Sequence, residues 1–425
     1  MYNFTEVPVC EIDKFSEAQG IFFQTSAWAS FKDKYKNVSF IGKDESGETV
    51  LTCLLFLISV PCTPFKIGYA MRGFVCDYTN KTLVTEFTEF LRKYMKKNRI
   101  VYTAIDPFFT YKTDFEVTES GGKAHQTLLD LGYIHFADKA HSIQRPTNYL
   151  VQWDPTLTKD EIAKGVYGKM EKKLQNDIRI AEERGLVPEK YHGDEITDTV
   201  IDEFFKLFEE TAEAKGFGIR QRNYYVNLIK YLRKYITIHF YRYDYNIDKE
   251  YTERVIREVE AGIEKNHAEA EDPATTPQKR ERLKPKMAEL VKQLNATKAR
   301  LEITEKYKDK KYISVYLCIK CGIKAHDYFG ANSQALRELR LTSNYWDMMK
   351  DCFDGTTESL NMGGTLRLDT EDIKQDKTYD LYQYKSRYHG QLDELLGEYY
   401  LVSNKTLFDV LHNKIHWLRR VVFKN

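Results

Sequence analysis

The residue types of the chain suit polar chemistry, since it is rich in cations, carboxylates and phenol rings, with Lys+Arg 64, Asp+Glu 63 and Tyr 30. Six of these side chains lie in or beside the local sequence patterns described below, namely Lys32, Asp106, Arg220, Tyr224, Tyr328 and Lys385. Arginine offers a rigid fork of donors and lysine a point charge, and both are suited to holding phosphate. Tyr224 follows Arg220 by four residues, which is one helical turn. Asp106 stands before Pro107 at the end of a β-rich run, where an Asp-Pro pair is also an ordinary turn.

Several standard catalytic and nucleotide-binding motifs are absent from the chain. It has no GxxxxGK[ST] or GxGxxG loop, no HExxH or GxSxG, and no pyrophosphate loop of the acetyl-CoA-dependent acyltransferases. Cys318 and Cys321 have the spacing of metal ligands, but no second pair accompanies them, and residues three apart in a strand face opposite ways. The ten histidines form no close-spaced ligand pair. We therefore expect no metal and no cofactor.

Composition and charge limit the class of protein. The 425 residues are 42% hydrophobic, which predicts two or three domains with real cores. Lys+Arg 64 against Asp+Glu 63 leaves a formal charge of +1, so any anionic partner must be held by a local patch. The N-terminus lacks a secretory pattern, and the apolar run Val50–Val60 is too short to span a membrane. Together with seven scattered cysteines, this predicts a cytosolic protein, at most peripheral to a membrane.

Two halves of the chain show the same alternation of strand and helix patterns. In residues 1–150, a strand over Val50–Val60 precedes an amphipathic helix over Lys81–Asn98. In residues 151–387, one long helical stretch from Thr158 to Arg184 leads into strand patterns. The sequence therefore predicts an α/β class with α+β mixed sheets, and the shared rhythm suggests a duplicated domain.

An insertion at 247–307 is dense in charged residues and carries a coiled-coil rhythm. Apolar positions step by four, three, four, three and four at Leu283, Met287, Leu290, Leu294, Thr297 and Leu301. Thr276 is a suitable N-cap before Pro277, whereas Pro285 either delays or kinks the second helix. We predict an antiparallel helical arm reaching roughly 35–40 Å, and a solvated spacer without contacts stays open as the alternative.

Eight local patterns follow one another in a specific order. They are Phe22–Lys32, Ile105–Pro107, Ile143–Pro146, Ile178–Gly185, Lys215–Arg220, Tyr328–Ser333, Ser343–Trp346 and Tyr384–Gly390. In this order they resemble the Fem family of non-ribosomal peptidyltransferases, the FemA-, FemX- and MurM-like enzymes that build the cross-bridge peptide of bacterial peptidoglycan. The resemblance covers nearly the whole chain, including a helical arm at the place where FemA-like members carry one.

The resemblance implies a fold and a reaction. Two tandem GNAT-like domains are implied: the first at 1–150, completed by 388–425, and the second at 151–387, with the coiled-coil arm 247–307 inserted in it. The implied donor is aminoacyl-tRNA. The implied acceptor is the side-chain amine of a muramyl pentapeptide that is carried on UDP or undecaprenyl diphosphate.

The resemblance also implies roles for the six side chains. Lys32 and Arg220 match positions that grip the diphosphate of the acceptor, with Lys34 and Lys36 as rivals to Lys32. Tyr224 lines the same cleft. Two purely structural interpretations stay open. Arg220 could form a salt bridge at the start of a helix, and Lys32 could be an exposed helix lysine.

The implied catalytic residues are Lys385 and Asp106. Lys385 matches a lysine near the reacting ester, where a cation stabilises the oxyanion. Asp106 matches an aspartate considered for proton handling, with substrate-assisted relay as an alternative. Tyr328 fits a ring of the acceptor pocket, and core packing is the other reading.

Two residues depart from the pattern of the family. Gln175 stands where the family often has a basic residue, and Arg387 replaces a glycine.

The chain could instead be an interaction protein that works through its coiled-coil arm, or an RNA-binding module. The near-neutral charge argues against the RNA-binding module.

Overall fold

The computed structural model describes residues 1–136, 147–216, 218–342, 344–366 and 373–414. The pattern Ile143–Pro146, the single positions Phe217 and Ser343, and the last part of the segment 388–425 lie outside the described residues.

Within these ranges the chain forms seventeen strands and fourteen α-helices. The strands are β1 Asn3–Val7, β2 Lys36–Lys43, β3 Thr49–Ser59, β4 Lys66–Ala70, β5 Val75–Cys76, β6 Ile100–Ile105, β7 Thr110–Thr113, β8 Glu116–Val117, β9 Tyr133–Phe136, β10 Thr147–Gln152, β11 Leu186–His192, β12 Ile236–Tyr243, β13 Tyr312–Cys321, β14 Lys324–Asn332, β15 Ser359–Gly364, β16 Gln391–Leu395 and β17 Glu398–Val402. The helices are α1 Asp13–Ala18, α2 Ser26–Phe31, α3 Lys81–Lys97, α4 Glu119–Asp130, α5 Lys159–Lys169, α6 Lys172–Glu183, α7 Asp198–Lys215, α8 Arg222–Leu232, α9 Tyr245–Glu271, α10 Pro277–Lys306, α11 Gln334–Glu338, α12 Trp346–Asp351, α13 Tyr379–Ser386 and α14 Lys405–Lys414.

The first sheet has the strand order β1-β2-β3-β4-β6-β17-β9, with β5 beside β3. Helix α3 covers one face through Leu83, Phe87 and Leu91, which recur every four residues and are buried. Successive residues of β3 alternate between two cores, since Leu54 packs in one cluster and Leu55 in another. The predicted strand and the predicted amphipathic helix of this half are confirmed.

The second sheet has the order β11-β12-β13-β14-β15-β10-β16-β7-β8. It takes β7 and β8 from the first 150 residues, while β17 returns to the first sheet between β6 and β9. Three strands from the segments predicted for the first domain, β7, β8 and β16, therefore lie in the second sheet. The mixed α/β class is confirmed, and the division at 150 and 387 stays a prediction.

One continuous core joins the two sheets. It contains Tyr69 and Tyr400 from the first sheet, Leu317 from the second, and Phe204 and Tyr225 from helices α7 and α8. At its edge, the Glu17 carboxylate accepts hydrogen bonds from the Lys234 ammonium at 2.7 Å and from the Tyr235 hydroxyl at 2.5 Å. These contacts tie α1 in the first half of the chain to the segment after α8 in the second half.

The predicted arm is present as α9 and α10, which pack against each other along their lengths. Thr276 caps α10 by accepting from the Lys279 amide, and Pro277 occupies its first turn. The helix begins at Pro277 and includes Pro285, so the idea that it starts late is wrong. At the base of the arm, Asp248 forms a buried ion pair with Arg184 at 2.7 Å.

The expectation of one helix from Thr158 to Arg184 is also wrong. The helical conformation is interrupted at Met170, so α5 and α6 are separate helices. The Gln175 side chain donates to the carbonyls of Tyr167 at 2.8 Å and Met170 at 2.9 Å. The side-chain amide thus satisfies carbonyls that the interrupted helix would have bonded itself.

Candidate functional site

Helices α2 and α8 bring two cations to one aromatic ring. Thr25 caps α2, and Lys32 lies at its C-terminal end. The Lys32 ammonium is 5.8 Å from the centre of the Tyr224 ring, and the Arg220 guanidinium is 4.6 Å from that centre. The structure thus places three of the six predicted side chains together. Lys34 and Lys36, the rivals to Lys32, are exposed.

The electrostatics of this cation pair favour an anionic ligand. The pKa of Lys32 is lowered to about 8, chiefly by burial and also by the nearby charges of Arg220 and Lys34. Among the described residues, no carboxylate contacts the Lys32 ammonium. A phosphate placed between the two cations would offset both the desolvation and the mutual repulsion.

Tyr328 extends the same group of side chains on strand β14. Burial raises the pKa of both the Tyr328 and the Tyr224 phenol, and each hydroxyl also affects the pKa of the other. The pairing of β13 with β14 shifts register at Tyr328, because Leu317 faces Phe329 while Cys318 faces Asp327. This bulge lets the consecutive rings of Tyr328 and Phe329 pack on one side of the sheet.

Asp106 lies at the end of β6 in a buried, charged setting. Its carboxylate accepts the Arg72 amide at 2.7 Å and lies 3.6 Å from the Arg72 guanidinium. Glu398 is the next cross-strand neighbour of Asp106, since Tyr399 pairs with Ile105 in an antiparallel register. Glu398 is also buried and accepts the Tyr400 hydroxyl. Two carboxylates close together and one arginine make a setting in which a proton can be held or released.

Lys385 lies elsewhere, at the end of α13. It is 3% exposed, and its ammonium donates to the carbonyls of Gly363 at 3.0 Å and Gly364 at 3.1 Å. Its charge acts on Asp327, whose carboxylate accepts the Tyr345 hydroxyl at 3.0 Å. Burial raises the pKa of Asp327 to about 6, while Lys385 and Tyr345 oppose the rise.

The structure therefore brings four of the six predicted residues together around the Tyr224 ring, whereas Asp106 and Lys385 each lie in a separate group. Tyr328 packs with the core shared by both sheets, whereas Tyr345, beside Asp327, packs with the second cluster around α12 and α13. Adjacent residues of β14 thus serve these two clusters from opposite faces of one strand. Arg387, the residue at the family's glycine position, ties α13 to α6 through Asp177 at 2.6 Å.

Sequence reasoning missed Arg72, Asp327 and Glu398. Each is a charged residue in a strand or shortly after one, and its place in the interior depends on contacts between segments that are distant in sequence. A signal was available for Glu398 alone, which stands among apolar strand residues after Gly397.

The described ranges contain neither a cluster of metal-ligating side chains nor a helix suited to crossing a bilayer. No cluster of three metal-ligating side chains occurs there. In the same ranges, none of the helices combines the length and the apolar character that crossing a bilayer requires.

Comparison with known proteins agrees with this architecture. The Aminoacyltransferase FemA of Staphylococcus aureus (strain MRSA252) is 24% identical over 394 residues, which cover 86% of each chain. The corresponding protein of strain COL is 23% identical over the same length. The crystal structure of FemX matches the fold with a TM-score of 0.69 at 21% identity, covering 97% of this chain and 100% of that one.

The family comparison covers nearly the entire chain. The model of the FemAB family matches residues 7–413, from β1 to the end of α14. That range includes the cation pair, the Asp106 cluster and Lys385. The chain therefore belongs to the FemAB family and is an aminoacyltransferase.

Proposed function

We propose that the protein transfers an amino acid from aminoacyl-tRNA to the side-chain amine of the stem peptide in a muramyl pentapeptide precursor of peptidoglycan. Membership of a family that adds amino acids to peptidoglycan precursors supports the reaction class. The proposed identity of the acceptor rests on one observation, the pair of cations Lys32 and Arg220 on the Tyr224 ring. The reaction would take place in the cytoplasm, at the inner face of the membrane if the acceptor is lipid-linked.

The chemistry requires a neutral amine and a stabilised oxyanion. The acceptor ammonium first loses a proton, for which the Asp106 carboxylate is the proposed acceptor beside Arg72 and Glu398. The amine nitrogen then attacks the ester carbonyl, a C–N bond forms, and the bond to the ribose oxygen breaks. The amine nitrogen still carries one surplus proton after the attack, and this proton passes to the ribose oxygen as that oxygen leaves. Lys385 would donate to the carbonyl oxygen in place of one glycine carbonyl.

The decisive experiment is a transfer assay with a panel of charged tRNAs and two acceptors, one UDP-linked and one lipid-linked. We expect one class of aminoacyl-tRNA to yield a new amide on the acceptor peptide. Binding of tRNA and acceptor without amide formation would instead favour a binding module. Removing residues 247–307 and repeating the assay would show whether the arm is needed for transfer to the soluble acceptor.

Replacing Lys32 or Arg220 with methionine should weaken acceptor binding. Each substitution removes one charge-assisted contact to the diphosphate, so KM for the acceptor should rise by about 10- to 100-fold. The double variant should lose less than the product of the single effects, because both cations lie on one ring. The exposed Lys34→Met is the matched control, and an equal effect there would contradict the assignment.

The pH dependence should reveal Lys32 directly. Its pKa is lowered from 10.5 to about 8, so the ammonium loses its charge as pH rises through about 8. We expect kcat/KM for the acceptor to fall above that pH, and the fall to be absent in Lys32→Met.

The pH dependence of the free energy of unfolding gives a second test of the lowered pKa of Lys32. Because the unfolded state binds more protons than the native state between about pH 8 and 10.5, Lys32 should make stability rise with pH in that range. The slope should flatten in Lys32→Met. An unchanged slope in denaturant titrations would show that Lys32 titrates normally.

A further inference from the structure

A cavity of about 510 Å³ opens where the first sheet meets the hairpin of β13 and β14. Its walls are mostly apolar side chains, including Ile21, Val50 and Phe74, with the polar Gln19 and Asn80 beside them. Arg72 also lines the cavity. Because Arg72 is paired with Asp106, the cavity adjoins the proposed proton-handling cluster directly.

Lys324 enters this cavity without a partner. Its ammonium lies 4.7 Å from the centre of the Phe108 ring, and the Arg72 guanidinium lies 5.8 Å from the same centre. No carboxylate among the described residues contacts the Lys324 ammonium. Asp77 also lines the cavity, but its carboxylate is engaged by the amide and hydroxyl of Thr79 at 2.8 Å and 2.7 Å.

The local backbone is shaped to admit this lysine. Gly20 has a φ of +74°, and a Cβ there would come within 2.8 Å of the Lys324 side chain. The aliphatic stem therefore passes over a position where only glycine leaves room. Burial lowers the pKa of Lys324, with the charges of Glu358 and Asp393 acting in the opposite direction. His326, the next residue on the same face of the strand, has its pKa lowered to about 3 and adds no charge near neutral pH.

Lys324, His326 and Tyr328 lie along one face of β14, and Lys324 and Tyr328 are separated by roughly 13 Å of strand. An acceptor with its diphosphate at Lys32 and Arg220 has its second fixed anion at the end of its peptide. A half-buried cation beside apolar walls, which no described carboxylate contacts, matches a peptide terminus, because a terminus presents a carboxylate next to small side chains.

We propose that the Lys324 ammonium binds the terminal carboxylate of the acceptor peptide, and that the cavity around Phe108 receives the last residues of that peptide. This proposal rests on the proposed function. It makes Lys324 a specificity-determining residue, because an acceptor whose terminal carboxylate is absent would leave a desolvated ammonium unpaired.

The test uses two acceptors, the UDP-linked muramyl pentapeptide and the same molecule with its C-terminus converted to a carboxamide. The unmodified protein should show a KM at least about tenfold lower for the carboxylate form. Lys324→Met should raise KM for the carboxylate form to that of the carboxamide form, with kcat nearly unchanged. Lys324→Arg should restore part of the discrimination. Lys320→Met is the control, because Lys320 lies on the adjacent strand β13 and its ammonium is paired with the Asp354 carboxylate.

Each outcome decides the proposal. Equal KM values for the two acceptors on the unmodified protein would overturn it, even if Lys324→Met does not fold. Full discrimination by a folded Lys324→Met protein would also overturn it, as would a rise in KM for aminoacyl-tRNA alone. Absence of any transfer to either acceptor would count against the proposed function itself. In that case, titration calorimetry with the two UDP-linked compounds still tests the carboxylate preference.

Discussion

Replacing Lys385 with methionine is expected to lower kcat by about 10²- to 10³-fold, the effect of losing one donor to a developing oxyanion. KM for the acceptor should change little, because Lys385 lies away from the cation pair that is proposed to hold the diphosphate. Single-turnover measurement of amide formation on the UDP-linked acceptor would separate this loss from slower product release.

The same substitution should also cost stability, and the two effects must be measured separately. The Lys385 ammonium is buried and donates to two glycine carbonyls, which methionine would leave unsatisfied. We expect a loss of about 1–3 kcal/mol in the free energy of unfolding. Activity is therefore compared well below the unfolding midpoint. The matched control is the exposed Lys377→Met, and a kcat within about threefold of the unmodified protein would remove Lys385 from the mechanism.

Replacing Arg184 with methionine is expected to lower the free energy of unfolding by about 3–5 kcal/mol, because it leaves the Asp248 carboxylate buried and without its counter-charge. The two side chains are 3% and 0% exposed, and a second guanidinium nitrogen donates to the Leu339 carbonyl at 2.9 Å. Among the described residues, the other hydrogen bonds to the Asp248 carboxylate come from neutral hydroxyls, those of Tyr243 at 2.7 Å and Thr304 at 3.2 Å, and Arg300 acts on it through its charge.

The same helix provides a matched control for Arg184. Arg179 pairs with Glu183 on the exposed face of α6, where an i,i+4 ion pair contributes about 0.5 kcal/mol or less. Denaturant titration of Arg179→Met should therefore show almost no change. A double variant that also replaces Asp248 with leucine should recover part of the loss. Similar destabilisation in both arginine variants would show that the buried pair does not anchor the arm.

Adjacent residues were sufficient to predict the local elements. The four-residue spacing in α3, the cap and proline at Thr276 and Pro277, and the apolar run of β3 each specify structure within one or two turns. The break between α5 and α6 was missed, since its stabilising contacts come from the Gln175 side chain rather than from a glycine or proline.

Most helices, the arm, the mixed α/β class and the chemical types available to a site follow from patterns of residues that are close in sequence. Which of those types meet depends on tertiary contacts. Lys32 and Arg220 converge because α2 packs on α8, and Glu398 joins Asp106 because β17 returns between β6 and β9. Tyr328 and Phe329 pack on the same side of the sheet because a bulge shifts the register between β13 and β14. Each of these depends on pairing between distant segments, and a shift of one residue would turn the same side chain to the other face.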